Sequence, residues 1–278
     1  MWDHQSRPGL IVKNIQYESR SDHFRVTPLS DIHTGSEAHD EKLLKNTVAW
    51  IAEDPLHYTL LGGDVADLIT RKDIRYHPAD IASWLRGEID LVASQIDRID
   101  RNLSPLKGRT LAYVLGNHED SLYRHTERDV YAEIGNRLKI NPEDKILLGH
   151  SGFIRLSFTR KGGSSFTLVL YVTHGWWGGR LMGVGALNLE RIIGDIEADI
   201  ILAGHDHNMR TFRMGRTRST AHGIRGVPIQ AASCGHFLSR PLYGQAKGYK
   251  WKPPGTITIN IWPDKKEWNI EVPSIIGT

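Results

Sequence analysis

Five short apolar runs along the chain each stop at a cluster of polar residues. The runs cover residues 24–29, 58–61, 110–115, 166–172 and 199–203, and their length and aliphatic or aromatic content indicate buried strands. The clusters that follow them are Asp31-Ile32-His33, Gly62-Gly63-Asp64, Gly116-Asn117-His118-Glu119, Thr173-His174-Gly175 and Gly204-His205-Asp206-His207. Ligands bind at the carboxyl ends of strands in open α/β sheets, so we expect these clusters to line one site.

The remaining pattern predicts an α/β fold. Apolar residues at helical spacing cover 37–52, 81–103, 128–138 and 186–198, and the first three of these segments alternate with strands, as in parallel sheets with helical crossovers. After Pro142 an antiparallel hairpin is expected, with strands 153–159 and 166–172 around a Gly-containing turn. Further strands are expected at 10–17, 209–214, 227–232, 256–261 and 268–272. The fold class is therefore a four-layer α-β-β-α sandwich, in which helices flank two mixed sheets.

Composition narrows the class of protein. We expect a single domain over residues 1–278, with the motifs in 24–210 and with 211–278 completing the second sheet, which begins at the hairpin. The formal net charge of +3 is too small to argue for nucleic-acid binding by itself. One cysteine, Cys234, excludes an intramolecular disulfide and a thiolate-rich metal site. The chain shows neither a signal-peptide pattern nor a long apolar run, so we expect a cytoplasmic protein without a membrane partner.

The five clusters resemble the signature of the calcineurin-like metallophosphoesterases. That signature runs D-x-H, G-D-x-x-D, G-N-H-[DE], a His before Gly, and G-H-x-H. The chain contains all five elements in order: Asp31-Ile32-His33, Gly63-Asp64-Val65-Ala66-Asp67, Gly116-Asn117-His118-Glu119, His174-Gly175 and Gly204-His205-Asp206-His207. A single tripeptide is weak support, whereas five in order, each at the end of a predicted strand, make a chance match very improbable.

The resemblance implies two divalent metal ions and assigns their ligands. It places one ion on Asp31, His33 and His207 and the other on Asn117, His174 and His205, with Asp64 bridging the two. Strand alternation also points Asp31 and His33 the same way, and His205 and His207 likewise. Two such ions bind a phosphate ester, and they ionise a bridging water to the hydroxide that attacks. Nitrogen and oxygen ligands suit Mn²⁺, which the resemblance favours, or Fe, Zn²⁺ or Ni²⁺.

Residues beside the proposed ligands suggest further roles. His118, next to Asn117, is the candidate to protonate the leaving oxygen, as in similar enzymes, and Glu119 or Asp120 could orient its ring. Asp67 ends the G-D-x-x-D motif and could accept a hydrogen bond from a ligand histidine. The alternative for Asp67 is a carboxylate at a helix N-terminus.

The sequence says less about the substrate. Trp176, Trp177 and Arg180 follow His174, so the aromatic rings could stack on a base and the guanidinium could pair with phosphate. Alternatively, both tryptophans pack against the next helix. Leu68 follows G-D-x-x-D, where the protein phosphatases of this family carry an Arg. This difference counts against a phosphoprotein phosphatase and leaves a phosphomonoesterase acting on a small molecule open as the alternative. It tilts the prediction toward hydrolysis of phosphodiesters, of nucleotides or nucleic acid. A non-catalytic metal-binding scaffold is the third hypothesis, and it is disfavoured because no ligand is missing.

Overall fold

The computed structural model describes residues 9–177, 182–221, 223–239 and 250–273. Two mixed sheets lie face to face, and helices cover both outer faces. The predicted four-layer α/β class is therefore confirmed.

The five-stranded sheet carries the first three polar clusters. Its strands are β2 (Phe24–Leu29), β3 (His57–Leu61), β4 (Thr110–Tyr113), β11 (Thr258–Trp262) and β12 (Glu267–Glu271). They lie in the order β12-β11-β2-β3-β4. The strands β2, β3 and β4 are parallel, whereas β11 runs antiparallel to both of its neighbours.

The seven-stranded sheet carries the other two clusters. Its strands are β1 (Gly9–Tyr17), β5 (Ser151–Arg160), β6 (Ser165–Thr173), β7 (Ile200–Ala203), β8 (Met209–Thr220), β9 (Gly223–His236) and β10 (Gly255–Thr256). The order is β1-β5-β6-β7-β9-β10, and β8 pairs with β9 at an edge. Because β6, β7 and β9 are parallel, the loops after all three emerge at one end of the sheet.

Three apolar clusters hold the layers together. Residues such as Phe24, Ile154 and Ile259 fill the space between the sheets. The helices α1 (Glu41–Glu53), α2 (Leu91–Leu103), α3 (Asn117–Thr126) and α4 (Val130–Leu138) bury their apolar faces on the five-stranded sheet. Helix α5 (Met182–Asp195) covers the seven-stranded sheet through Leu189, Ile192 and Ile193. None of the helices in the described residues is long and apolar enough to span a membrane.

Two sequence-based expectations about the fold need correction. The segment 81–103 is not one helix: a 3-10 turn at Ser83–Leu85 precedes α2, which begins after the N-cap Asp90, whose carboxylate accepts the N–H groups of Val92 and Ala93. Within 211–278, β8, β9 and β10 lie in the seven-stranded sheet, but β11 and β12 do not complete it. They extend the five-stranded sheet because β11 pairs with β2.

Candidate metal centre

The five polar clusters meet where the two sheets present their strand ends. Asp31 and His33 follow β2, Asp64 follows β3, and Asn117 opens α3 just after β4. The seven-stranded sheet supplies the others: His174 follows β6, and His205 and His207 follow β7. The site therefore lies across the seam between the sheets, and each sheet provides part of it.

One group of possible ligand atoms comes from Asp31, His33 and His207, whose donor atoms all lie within 4.8 Å of one another. His207 Nε2 lies 3.2 Å from Asp31 Oδ1. The second carboxylate oxygen of Asp31 is held by the protein, because it accepts hydrogen bonds from Ser30 Oγ at 2.6 Å and from the His205 backbone N–H at 3.0 Å.

A second group comes from Asp64, His174 and His205, again within 4.8 Å. Asn117 Oδ1 lies 3.1 Å from His174 Nε2, so the amide oxygen reaches the same place. Asp64 Oδ2 lies 3.2 Å from His174 Nε2 and 3.8 Å from His33 Nε2. Asp64 thus stands between the two groups, and the structure brings all seven predicted ligands together.

The unpaired atoms of this site fit divalent metal ions. Asp31 Oδ1 and His33 Nε2 are buried without a hydrogen-bond partner, an arrangement that is costly unless a ligand such as a metal ion satisfies them. The other ring nitrogens face acceptors: His33 Nδ1 lies 3.3 Å from Asp67 Oδ1, and His174 Nδ1 lies 2.8 Å from the Gly62 carbonyl. A proton on each Nδ1 leaves the Nε2 lone pair for a metal, as in known histidine-metal sites.

The electrostatics keep the two carboxylates charged. Burial alone raises the pKa of Asp31, but His207 and His174 outweigh that effect and hold this pKa well below its usual value. The pKa of Asp64 is likewise lowered, since His174 and His118 overcome the cost of burial. These two buried carboxylates therefore stay negative, and they can bind cations when the histidines beside them are neutral.

His118 adjoins the second group and is oriented by backbone. Its Nδ1 faces the Asp67 carbonyl oxygen at 2.5 Å, and its own backbone N–H donates to Asp64 Oδ1 at 2.9 Å. A carbonyl only accepts, so Nδ1 carries the proton and Nε2 faces the site, 4.0 Å from Asp64 Oδ2. The expectation that Glu119 or Asp120 orients this ring is therefore wrong.

Glu119 has another function in the site. Its carboxylate accepts the backbone N–H groups of Asp64, Val65 and Ala66 at 3.1, 2.8 and 3.3 Å, and it accepts the Tyr113 hydroxyl. This buried side chain fixes the loop after β3.

Asp67 does not begin a helix. Its carboxylate faces His33, as in the predicted arrangement in which Asp67 accepts a hydrogen bond from a ligand histidine.

The residues predicted to contact substrate lie in different environments. Trp176 is 72 % exposed, whereas Trp177 is buried against Leu189 and Ile192 of α5 and cannot meet a substrate, because its ring belongs to the core. Arg180 lies outside the described residues. Leu68 is buried, and its N–H donates to Gln95 Oε1, so no cation occupies that position.

One neighbour of the site is absent from the predicted set. The His236 ring, at the end of β9, stacks on His207 with 5.1 Å between centroids and 22° between planes. Its Nδ1 accepts the Leu238 N–H, so its proton lies on Nε2, which is buried without a partner. The feature of the sequence that pointed to His236 is its position just after the predicted strand 227–232, which ends at the same edge of the sheet as the strands before His174 and His205.

The fold and these clusters together define an α/β metal-binding protein. A family model for calcineurin-like phosphoesterases matches residues 24–209, and the chain belongs to this family. Membership supports metal-dependent hydrolysis of phosphate esters.

Two solved structures are similar over most of this chain. A metallophosphoesterase from Sphaerobacter thermophilus shares 14 % identity, with a TM-score of 0.39 over 89 % of this chain and 87 % of that one. An NAD nucleotidase from Haemophilus influenzae shares 10 % identity, with a TM-score of 0.38 over 90 % of this chain and 49 % of that one. The comparison with curated proteins finds no match.

Proposed function

We propose that this protein hydrolyses phosphodiesters at a centre of two divalent metal ions. The observation that carries the proposal is the pair of adjacent groups of possible ligand atoms on either side of Asp64, in which Asp31 Oδ1 and His33 Nε2 are buried and make no hydrogen bond within the described residues. Leu68 supports a diester substrate, since an apolar buried residue replaces the arginine that grips a phosphomonoester in protein phosphatases.

The proposed ligands follow the two groups. Asp31, His33 and His207 would hold one ion, and His174, His205 and Asn117 would hold the other. Asp64 would be shared by the two sites. Ions bound in this way would supply Lewis acidity to the phosphoryl group and lower the pKa of the attacking water. Nitrogen-rich donor sets favour Mn²⁺, Fe, Zn²⁺ or Ni²⁺ over Mg²⁺ and Ca²⁺, and we propose Mn²⁺ as the native ion.

His118 is the proposed proton donor to the leaving oxygen. The Asp67 carbonyl fixes the Nδ1 proton and leaves Nε2 facing the site, so a second proton on Nε2 can be transferred. The backbone of the same residue holds Asp64, which couples the position of the acid to that of the proposed bridging carboxylate.

The test measures hydrolysis of bis(p-nitrophenyl) phosphate by metal-loaded protein. We expect Mn²⁺-dependent turnover that falls about 10²–10⁴-fold in His118→Ala while the bound metal content is unchanged. His125→Ala is the matched control, because His125 lies exposed in the same helix. Equal turnover without His118 would remove its acid role, and no turnover with any of the four metals would falsify the proposed activity. Faster cleavage of p-nitrophenyl phosphate would instead identify a phosphomonoesterase.

A further inference from the structure

Asp206 separates the two proposed ligands that follow β7. His205 belongs to the donor group of Asp64, and His207 belongs to that of Asp31. Both histidines have left-handed backbone, with φ of 66° and 53°. Because Asp206 is the one residue between them, any displacement of Asp206 moves a proposed ligand of each ion.

Each polar group of the Asp206 backbone has a partner. Its N–H donates to the Gly204 carbonyl at 2.8 Å. Its carbonyl oxygen accepts the Asn208 side-chain amide at 2.9 Å and also the Lys252 ammonium. A cation thus holds the backbone of the turn between the two histidines.

The Asp206 carboxylate is held by the hairpin of β8 and β9. Oδ2 accepts Arg210 Nη2 at 2.8 Å and Ser233 Oγ at 3.3 Å, and Oδ1 accepts the Asn208 backbone N–H at 3.1 Å. Arg210 lies directly opposite Ser233 in the strand register, so both donors reach the same oxygen. The ion pair is largely buried, with the Asp206 side chain 8 % exposed and that of Arg210 15 % exposed. Charge-assisted hydrogen bonds of this kind are shorter and stronger than neutral ones.

Arg210, Ser233 and Lys252 together form what we call the clamp. All three lie outside residues 24–209, the part of the chain that the family model matches. Membership of the family therefore does not account for the clamp.

Helix α5 leaves space for the Asp206 carboxylate. A Cβ at Gly185 would collide with Asp206 Oδ2 and would lie 3.4 Å from Arg210 Nη2. Glycine is an unfavourable residue inside a helix. The close approach of the carboxylate explains its presence here, so α5 also constrains Asp206.

The charges of the clamp oppose metal binding. Asp206 contributes one negative charge, whereas Arg210 and Lys252 contribute two positive charges, so the cluster is net positive beside a proposed centre for divalent cations. Like charges repel each other. The effect of these two cations on metal affinity is therefore unfavourable, and the benefit of the clamp lies in geometry or in the attraction of an anionic substrate.

We infer that Asp206 is a positioning residue for both ions: the clamp fixes Asp206, which in turn aims His205 and His207 at separate donor groups. The burial of the pair of Asp206 and Arg210 favours this role over the attraction of a substrate. The inference rests on the proposed function in one respect, since it takes the two donor groups to be metal sites. Metal binding can be measured without hydrolysis, so the two are tested separately.

The first test titrates metal-free, full-length protein with Mn²⁺ in competition with a chromophoric chelator. Arg210→Met/Lys252→Met removes two positive charges, so electrostatics alone would strengthen the binding of a cation. The inference predicts the opposite sign: about 10–100-fold weaker binding in both binding steps, because ligands of both ions lose their support. The electron paramagnetic resonance spectrum of the native chain with two Mn²⁺ should show a spin-coupled pair, which the variant should lose.

The matched control is Arg213→Met/Lys250→Met, which removes the same charges from exposed positions of β8 and of the segment before Lys252. It should bind Mn²⁺ at least as tightly as the native chain. Lys252→Arg keeps a cationic donor and should retain most of the affinity. Native or tighter Mn²⁺ binding by Arg210→Met/Lys252→Met would overturn the inference, and a raised KM for bis(p-nitrophenyl) phosphate in that case would identify the two cations as substrate contacts instead.

The second test displaces Asp206 without changing any charge. Gly185→Ala places a methyl group against the carboxylate, and we expect Mn²⁺ binding to weaken by about tenfold or more. Gly194→Ala, in the same helix with open space around its Cβ, should bind Mn²⁺ like the native chain. Native affinity in Gly185→Ala would contradict the role of Asp206 even if the charge variant failed to fold.

Failure of the proposed function gives a different result. A native chain that binds two Mn²⁺ ions and hydrolyses neither bis(p-nitrophenyl) phosphate nor p-nitrophenyl phosphate would refute the activity, and the comparison of variants would still test the clamp. A native chain that hydrolyses the diester, with all variants binding Mn²⁺ alike, would overturn the inference alone.

Discussion

The backbone at the candidate metal centre is left-handed at five of the seven proposed ligands. These are Asp31, His33, Asp64, His205 and His207, with φ between 50° and 66°. Non-glycine residues seldom adopt this region, at a cost of order 1–3 kcal/mol each, and they persist in it where surrounding contacts over-determine the backbone. Here the Asp31 N–H donates to the Gly63 carbonyl and the His33 N–H donates to the Asp64 carbonyl, which ties the loops to each other. The strain is therefore concentrated where the donor atoms converge.

Asp67 offers a test of how a neighbour positions a ligand. Its carboxylate faces His33 Nδ1, so Asp67→Ala should free the imidazole to rotate and weaken binding of the ion proposed at His33 by about 10–100-fold. Competition titration of metal-free protein against a chromophoric chelator measures this affinity. Asp73→Ala is the control, because that carboxylate pairs with Arg75 on the surface loop. Unchanged affinity in Asp67→Ala would show that the ring is held by other contacts.

The sequence predicted which residues converge better than it predicted why they do. The resemblance to the metallophosphoesterase signature implied the proximity of Asp31 to His207 and of Asp64 to His174, whereas the strand ends implied only that all five clusters lie at one edge. Strand alternation was the wrong reason for the pairing of Asp31 with His33, since both lie in left-handed loop conformations beyond β2. Such φ values depend on long-range backbone bonds to the loop after β3, which a local pattern cannot contain.

Among the helices, α3 has the closest connection to the site. It begins at Asn117 and places His118 and Glu119 in its first turn, so one element supplies a proposed ligand, a proposed acid and the acceptor for the loop after β3. Burial, and then the charge of Asp64, raise the pKa of Glu119, yet three backbone N–H groups converge on its carboxylate. The position of Asp64 therefore depends on α3.

Removal of this acceptor should destabilise the fold. Glu119→Ala leaves the N–H groups of three loop residues without a partner in a buried place, and each such loss costs about 1–3 kcal/mol, so we expect at least about 3 kcal/mol less free energy of unfolding in urea. Asp120→Ala, in the same helical turn, removes an ion pair with Arg124, whose side chain is mostly exposed, and should cost less than about 1 kcal/mol. Similar losses in the two variants would contradict this role for Glu119.

Strands and helices with regularly spaced apolar residues were predicted from the sequence, whereas a helix with few apolar residues was not. The hairpin of β5 and β6 and the parallel strands β2 and β3 lie within two residues of their predicted bounds. Helix α3 escaped prediction because Leu122 is its one buried apolar residue, so it shows no apolar period. The opposite error arose at 81–103, where Ile89 continued the helical spacing although it is 98 % exposed in the loop before α2.

At the scale of the whole molecule, the candidate metal centre is formed by residues from both sheets. The five-stranded sheet presents Asp31, His33, Asp64 and Asn117, and the seven-stranded sheet presents His174, His205 and His207. An apolar core fills the space between the sheets, but at the seam the contacts are polar and include two buried carboxylates. Bound ions would therefore crosslink the sheets at the place where apolar contact is lacking.

This arrangement predicts that metal stabilises the folded protein as well as supporting catalysis. A ligand that binds only the native state adds about 2.7 kcal/mol at a concentration one hundred times its dissociation constant, so Mn²⁺ should raise the thermal midpoint and a chelator should lower it. His205→Ala/His207→Ala removes two donors of one sheet and should lose most of this metal-dependent increase. His23→Ala/His125→Ala removes two histidines distant from the site and should retain it. If the double variant at the centre gains as much stability from metal as the native chain, the ions do not bridge the sheets through these residues.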